Sequence, residues 1–243
     1  MTVQEVFELI PFRLVASAGI AATLAGILLH YLVFGPHRLS KEDAGAKKLV
    51  RRMSIWERLI HAIALMSFCT LGVTGMVAVI GYGSRVSGWL WFLHALAAPV
   101  FCASLVGVVV MWARDGCFAA YDAKWMLYMG GYVGIGKHKR LPAGRFNAGQ
   151  KAYLWIIAAL GLAIVLSGLA RLFPALGEPW NTYAYFTHQY STLLGIMAVI
   201  GHAYLGSLAN PETLSVALTG RVSPAWAARH HPVWWEEVNK GQG

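Results

Sequence analysis

Five apolar runs mark the chain, at about residues 12–34, 59–80, 90–112, 152–173 and 186–208, with polar or basic stretches between them. Each is close to the roughly 20 residues that a helix needs to cross a hydrocarbon core. The pattern predicts an all-α integral membrane protein. It places an extra N-terminal transmembrane helix in residues 1–40, a four-helix transmembrane core in 41–208 and a cytoplasmic amphipathic tail in 209–243. The start, MTVQEVFELIPFR, holds two glutamates before its first arginine. That is a poor n-region for a cleaved signal, so the first run reads as a retained helix.

Composition agrees with the pattern. The 243 residues are 57% hydrophobic and 13% charged, against about 45–50% and about 25% in a soluble domain. The formal net charge of +9 raises the question of nucleic acid, but the basic residues are grouped between apolar runs. Segment 36–58 carries Arg38, Lys41, Lys47, Lys48, Arg51, Arg52 and Arg58. Segment 114–151 carries Arg114, Lys124, Lys137, Lys139, Arg140, Arg145 and Lys151. By contrast, 81–89 has only Arg85, and 174–185 has neither Lys nor Arg. This is the charge bias of cytoplasmic loops, not of a nucleic-acid surface, and it predicts a periplasmic N-terminus and a cytoplasmic C-terminus. Cys69, Cys102 and Cys117 form no C-x-x-C pair and no C-x-x-C-H, which speaks against a cysteine metal site or a covalently attached haem.

Histidines inside the spans change the picture, because ionisable side chains in a bilayer are expensive and usually functional. The topology puts His94 and His188 at the outer level and His61 and His202 at the inner level, each pair drawn from two helices. His188 and His202 are fourteen residues apart. That spacing is about 40° short of four full turns, with a rise of roughly 21 Å, so both rings share one face. Two levels of paired imidazoles suit two b-type haems, each with two axial histidines in a helical bundle. Gly72, Gly75, Gly107, Gly195 and Gly201 suit either close approach of a macrocycle or helix packing. Arg58, one turn before His61, suits a haem propionate or a snorkelling role. His30 reads as interfacial, and His37, His138, His230 and His231 read as solvated.

Two segments remain. In GRFNAGQK (144–151), Asn147 and Gln150 form a capping-box pattern. The same amides and the free N–H groups of a helix start suit hydrogen bonds to a quinone carbonyl. In RVSPAWAARHHPVWWEEV (221–238), Ser223 before Pro224 marks a helix start. Trp226, Trp234 and Trp235 with Arg229 predict an interfacial helix on the inner leaflet.

The chain resembles the gamma subunit of respiratory formate dehydrogenase, a b556-type cytochrome. The similarity covers about residues 50–240. It is carried by Arg58 and His61, by Leu93 and His94, by F-N-A-G-Q-K at 146–151, by His188 and His202, and by the R-V-S-P-A-W…H-H-P-x-W tail. The resemblance implies a four-helix core with two haems b, one on His94 and His188 and the other on His61 and His202. It implies a periplasmic iron–sulfur beta subunit that delivers electrons from a molybdenum or tungsten pterin alpha subunit. It also implies menaquinone or ubiquinone bordered by Asn147, Gly149, Gln150 and His202, in a bacterial inner membrane. The first helix has no counterpart in the four-helix form of that family. Its expected role is to pack against, or substitute for, the membrane anchor helix of the iron–sulfur subunit. Alternatives are the cytochrome b of a nickel–iron hydrogenase or thiosulfate-type reductase, and a haem-free transporter. A transporter should show broken helices around a midplane site, and none is legible.

Overall fold

The computed structural model describes residues 11–38, 49–135, 139–173, 175 and 177–240. The expectations for Lys41, Lys47, Lys48, Lys137 and His138 lie outside the described residues. Five long helices match the five apolar runs: α1 (Phe12–Phe34), α2 (Ile55–Met76, continued by a π-helical turn Val77–Gly81), α3 (Gly88–Trp112), α5 (Ala148–Leu172) and α6 (Trp180–Leu205). A short α4 (Asp122–Leu127) lies between α3 and α5. The tail holds α7 (Leu214–Thr219), α8 (Pro224–His230) and α9 (Pro232–Lys240). Strands β1 (Val50–Arg51) and β2 (Arg221–Val222) form one antiparallel pair, with Val50 opposite Val222.

Among the described residues, α1, α2 with its π turn, α3 and α5 are long and apolar enough to cross a membrane. The chain is a multi-pass membrane protein. Helix α6 has the same length, but its first half (WNTYAYFTHQYST) is rich in hydroxyl and amide side chains.

The chain divides into two compact units. The first comprises residues up to Ala25 with Ile60–Val108 and Ile156–Ile200; the second comprises Gly26–Leu59, Val109–Trp155 and the chain from Gly201 on. In the first, Leu71, Phe101 and Leu105 form a buried cluster, with Phe68, Ala97, Ile157 and Val165 against it. Gly161 admits Leu105: a Cβ there would lie 2.5 Å from a Leu105 methyl. Helix α1 joins this unit through Phe12 on Tyr190 and through Gly19 beside Leu193 and Met197. Leu14 and Leu24 on its other faces stay exposed.

The second unit has a different core. Val216, Val222, Trp226, Ala227 and Trp234 are buried together. The tail therefore corrects the sequence expectation. Trp226 is 2% and Trp234 8% exposed, so two of the three tryptophans fill protein instead of resting on a leaflet. Ser223 does start α8, its hydroxyl accepting from the Trp226 amide. His37 and His231 are buried as well, and His231 Nδ1 donates to the Gly144 carbonyl at 2.7 Å. The solvated reading of both is wrong, and so is that of His230, whose Nε2 is buried, because the tail folds back on the loops. His30 is not merely interfacial either. One ring nitrogen bonds Tyr204 Oη at 2.6 Å and the other the Tyr132 carbonyl at 3.0 Å.

Candidate haem site

Within the first unit, α3 and α6 bring His94 and His188 together, edge to face. Their ring centres are 6.4 Å apart, with planes inclined at 61°. Each ring is held from behind at Nδ1. His188 Nδ1 lies 3.0 Å from the Ile164 carbonyl, which can only accept, so the proton is on Nδ1. Ser167 Oγ is 3.2 Å from the same nitrogen. His94 Nδ1 lies 2.8 Å from Thr74 Oγ1. The Thr74 hydroxyl proton goes to the Thr70 carbonyl at 2.7 Å, so its oxygen accepts from His94. In its neutral form each imidazole is then the Nδ1–H tautomer with Nε2 unprotonated, the form a metal binds. A carbonyl or hydroxyl behind the ligating histidine is the usual outer partner that fixes ring orientation.

The spacing fits an iron between the rings. Metal–imidazole bonds of about 2 Å on both sides, plus the offset of each nitrogen from its ring centre, make about 6 Å. Small residues flank the pair. A Cβ on Gly168 would lie 3.2 Å from His188 Cε1, and one on Gly75 4.0 Å from His94 Cε1. Of the other glycines singled out from sequence, Gly72, Gly107 and Gly195 face Ile196, Ile60 and Phe68, so they serve helix packing. Gly201 meets nothing within 4 Å. The residues present fit a haem b held by His94 and His188.

The model of the prokaryotic cytochrome b561 family matches residues 52–220. The chain belongs to that family. Haem b is the cofactor of such a cytochrome, and the helical membrane fold agrees with it. A second family model, formate dehydrogenase N, transmembrane, matches residues 11–44. The chain is also similar to the nitrate-inducible formate dehydrogenase cytochrome b556(Fdn) subunit of Escherichia coli K12. Identity is 22% over 209 residues, which cover 80% of this chain and 94% of the relative. The formate dehydrogenase cytochrome b556(fdo) subunit of the same strain is 27% identical over 206 residues, 76% of this chain and 90% of the relative. The resemblance drawn from the motifs stands.

The remaining expected site residues of this cytochrome fall as follows. His61 lies on α2, in the first unit. His202, on α6 in the second unit, stacks on Tyr153 with ring centres 4.1 Å apart and planes 6° from parallel. Asn147 and Gln150 form the expected reciprocal cap. The Gln150 amide donates to Asn147 Oδ1 at 2.9 Å, and the Asn147 amide to Gln150 Oε1 at 3.1 Å. That arrangement uses both side-chain oxygens and leaves both NH2 groups as available donors. Gly149 is required locally, since a Cβ there would lie 2.7 Å from the Trp125 ring. Arg58 donates through Nε to Ala217 O at 3.1 Å and through Nη2 to Leu218 O, closing the end of α7.

Beside the cap lies a charged cluster. Arg145 pairs with Glu57 and Asp115, and Glu57 also accepts from Trp112 Nε1 at 2.9 Å. Arg52 donates to the Arg145 carbonyl at 2.6 Å and lies over the Trp226 and Trp234 rings. Burial, then the Arg145 charge, push the Arg52 guanidinium down to about 9. Burial also works against the Arg145 charge, but the Glu57 hydrogen bond and the two carboxylates outweigh it and hold its pKa above the ordinary value. Lys151 and Asp122 form a buried pair at 2.7 Å.

Sequence reasoning missed Thr74, Ser167 and Tyr153. The two hydroxyls carry no signal, because most Ser and Thr in apolar helices bond the carbonyl of the preceding turn. Tyr153 could be found from its place one turn and a half after the cap, on the helix that follows it.

Proposed function

We propose that the chain is the membrane cytochrome b subunit of a respiratory formate dehydrogenase. In this reading, electrons from a periplasmic iron–sulfur subunit, fed by a molybdenum or tungsten pterin subunit, cross the membrane at two b haems and reduce a quinone near the cytoplasmic side. The observation that carries it is the His94–His188 pair, with both Nδ1 atoms engaged and the ring centres 6.4 Å apart, in a chain whose relatives are named as formate dehydrogenase cytochromes.

Bound haem b supplies reversible one-electron transfer, with a potential set by axial ligands, burial and nearby hydrogen bonds. His94 and His188 hold one haem, oriented by Thr74, Ser167 and the Ile164 carbonyl. His61 and His202 are the ligands of the second, with the Tyr153 ring fixing His202 in plane. Arg58 keeps Nη1 for a propionate while its other nitrogens hold α7. At the start of α5 the NH2 groups of Asn147 and Gln150 donate to a quinone carbonyl and stabilise negative charge developing there, with Gly149 and His202 bordering the molecule. The N-terminus is periplasmic and the C-terminus cytoplasmic, in a bacterial inner membrane. Helix α1, which carries its own match to a formate dehydrogenase transmembrane family, substitutes for a membrane anchor of the iron–sulfur subunit.

The test is reduction of the haems in the assembled complex. Formate should reduce both, and a quinone analogue should reoxidise them. His94→Ala should block reduction of the remaining haem by formate, whereas His202→Ala should leave one haem reducible by formate but stop quinone turnover. Reduction by hydrogen and not by formate would move the assignment to a hydrogenase.

A further inference from the structure

Two arginines of the first unit, Arg85 and Arg171, have no carboxylate partner among its described residues. Arg171 is in the last turn of α5, and Arg85 is in the connection between α2 and α3. Both guanidinium groups lie over one ring, that of Tyr185, at 4.7 Å and 5.9 Å from its centre. Neither makes an ion pair or donates a side-chain hydrogen bond among the described residues. Glu178 is the one carboxylate among the described residues of this unit, and it accepts from Thr182 instead. Two cations held against one ring repel each other, and the ring quadrupole offsets only part of that.

The cations are placed by the haem ligand. Tyr185 lies three residues before His188 on α6, and Arg171 lies three residues after Gly168, which packs against the His188 ring. Residues three apart stack on one helix face. The guanidinium groups therefore stand about one turn from the imidazole, toward the helix ends, where carboxylates can stay hydrated. A b haem is not bonded covalently to its protein, and it carries two propionate carboxylates on one edge of the ring. Arginine is the side chain best matched to a carboxylate, through its planar fork of donors.

We infer that Arg171 and Arg85, spaced by the Tyr185 ring, bind the propionates of the haem that His94 and His188 ligate. The inference rests on the reading of those histidines as haem ligands. It assigns Arg171 and Arg85 as positioning residues that also raise the tendency of that haem to accept an electron.

The experiment is a spectroscopic redox titration of the full-length chain in detergent. Wild type, Arg171→Gln, Arg85→Gln, the double variant, Arg171→Lys and His94→Ala are compared. The expected result is a lower midpoint potential for one haem in each Gln variant, lower again in the double variant, with the other haem unchanged. The affected haem is the one absent from His94→Ala, and Arg171→Lys keeps most of the wild-type potential. If a Gln variant loses that haem outright, Arg171→Lys must restore it. Failure of that rescue, or two unchanged potentials with full haem content in the double variant, overturns the inference and assigns the arginines to a lipid phosphate or an acidic partner. Wild type without haem, or His94→Ala with full haem content, overturns the reading of the ligands and the inference with it.

Discussion

The unit with His94 and His188 and the unit with Arg52 use polar side chains in opposite ways. In the first, three polar groups aim the histidines: Thr74 aims His94, and Ser167 with the Ile164 carbonyl aims His188. In the second, polar groups are many and bind each other: Arg145 to Glu57 and Asp115, Lys151 to Asp122, Arg52 to backbone and to tryptophan rings. The first unit orients a pair of histidines, whereas the second is organised around its own connections. Damage to the first should therefore appear in haem content, and damage to the second in stability.

The largest expected effect is in the first unit. His188→Ala should remove one b haem completely while the chain still folds, as the absorption spectrum of the purified variant would show. In the second unit, Lys151→Met leaves the Asp122 charge buried without its partner, with that side chain 2% exposed. Breaking such a pair costs about 3–5 kcal/mol. The denaturation midpoint in detergent should drop sharply, and a variant as stable as wild type would contradict the contrast. Trp226→Ala opens a cavity in the tail core and should cost about 3–5 kcal/mol, with haem at His94 and His188 retained.

Thr74→Val is a smaller change, and it sharpens the comparison. It frees His94 Nδ1 without adding volume, and loss of such a partner weakens ligand binding by about 10–100-fold. Haem titration of the apoprotein measures it. The smallest effect is with pH. Burial, then the Arg229 charge and its neighbours, push the His230 imidazole down to about 3 from an ordinary 6.5. Burial holds His231 well below the ordinary value as well. The unfolded chain protonates these rings near pH 6.5 and the folded chain does not, so the unfolded state binds more protons between those values. Stability of the second unit should be flat above about pH 6.5 and fall as the pH drops below it. Tryptophan fluorescence in an unfolding series reads this, and a flat profile down to about pH 4 would contradict it.

The same contrast explains what was legible in the sequence. The five helices were, because apolar runs of that length set helices locally, and four of them are apolar enough to span a membrane. The His94–His188 pairing was, because helix rise and topology place both residues at one level. The capping box of Asn147 and Gln150 was, because its partners are three residues apart. The second unit was not, because its contacts join distant parts of the chain. Arg52 reads as one more basic loop residue until Trp226 and Trp234 fold over it. His231 reads as solvated until the Gly144 carbonyl meets it. His30 reads as interfacial because its partners, Tyr132 and Tyr204, lie on other elements.

The central claim is that this cytochrome carries haem on paired histidines at two levels. The direct measurement is haem per chain by pyridine haemochrome, with a dithionite-minus-oxidised spectrum, for wild type, His94→Ala and His202→Ala. Two b haems in wild type and one in each variant is the predicted result. A single haem in wild type that survives His202→Ala would contradict the two-level account and leave the His94–His188 site alone.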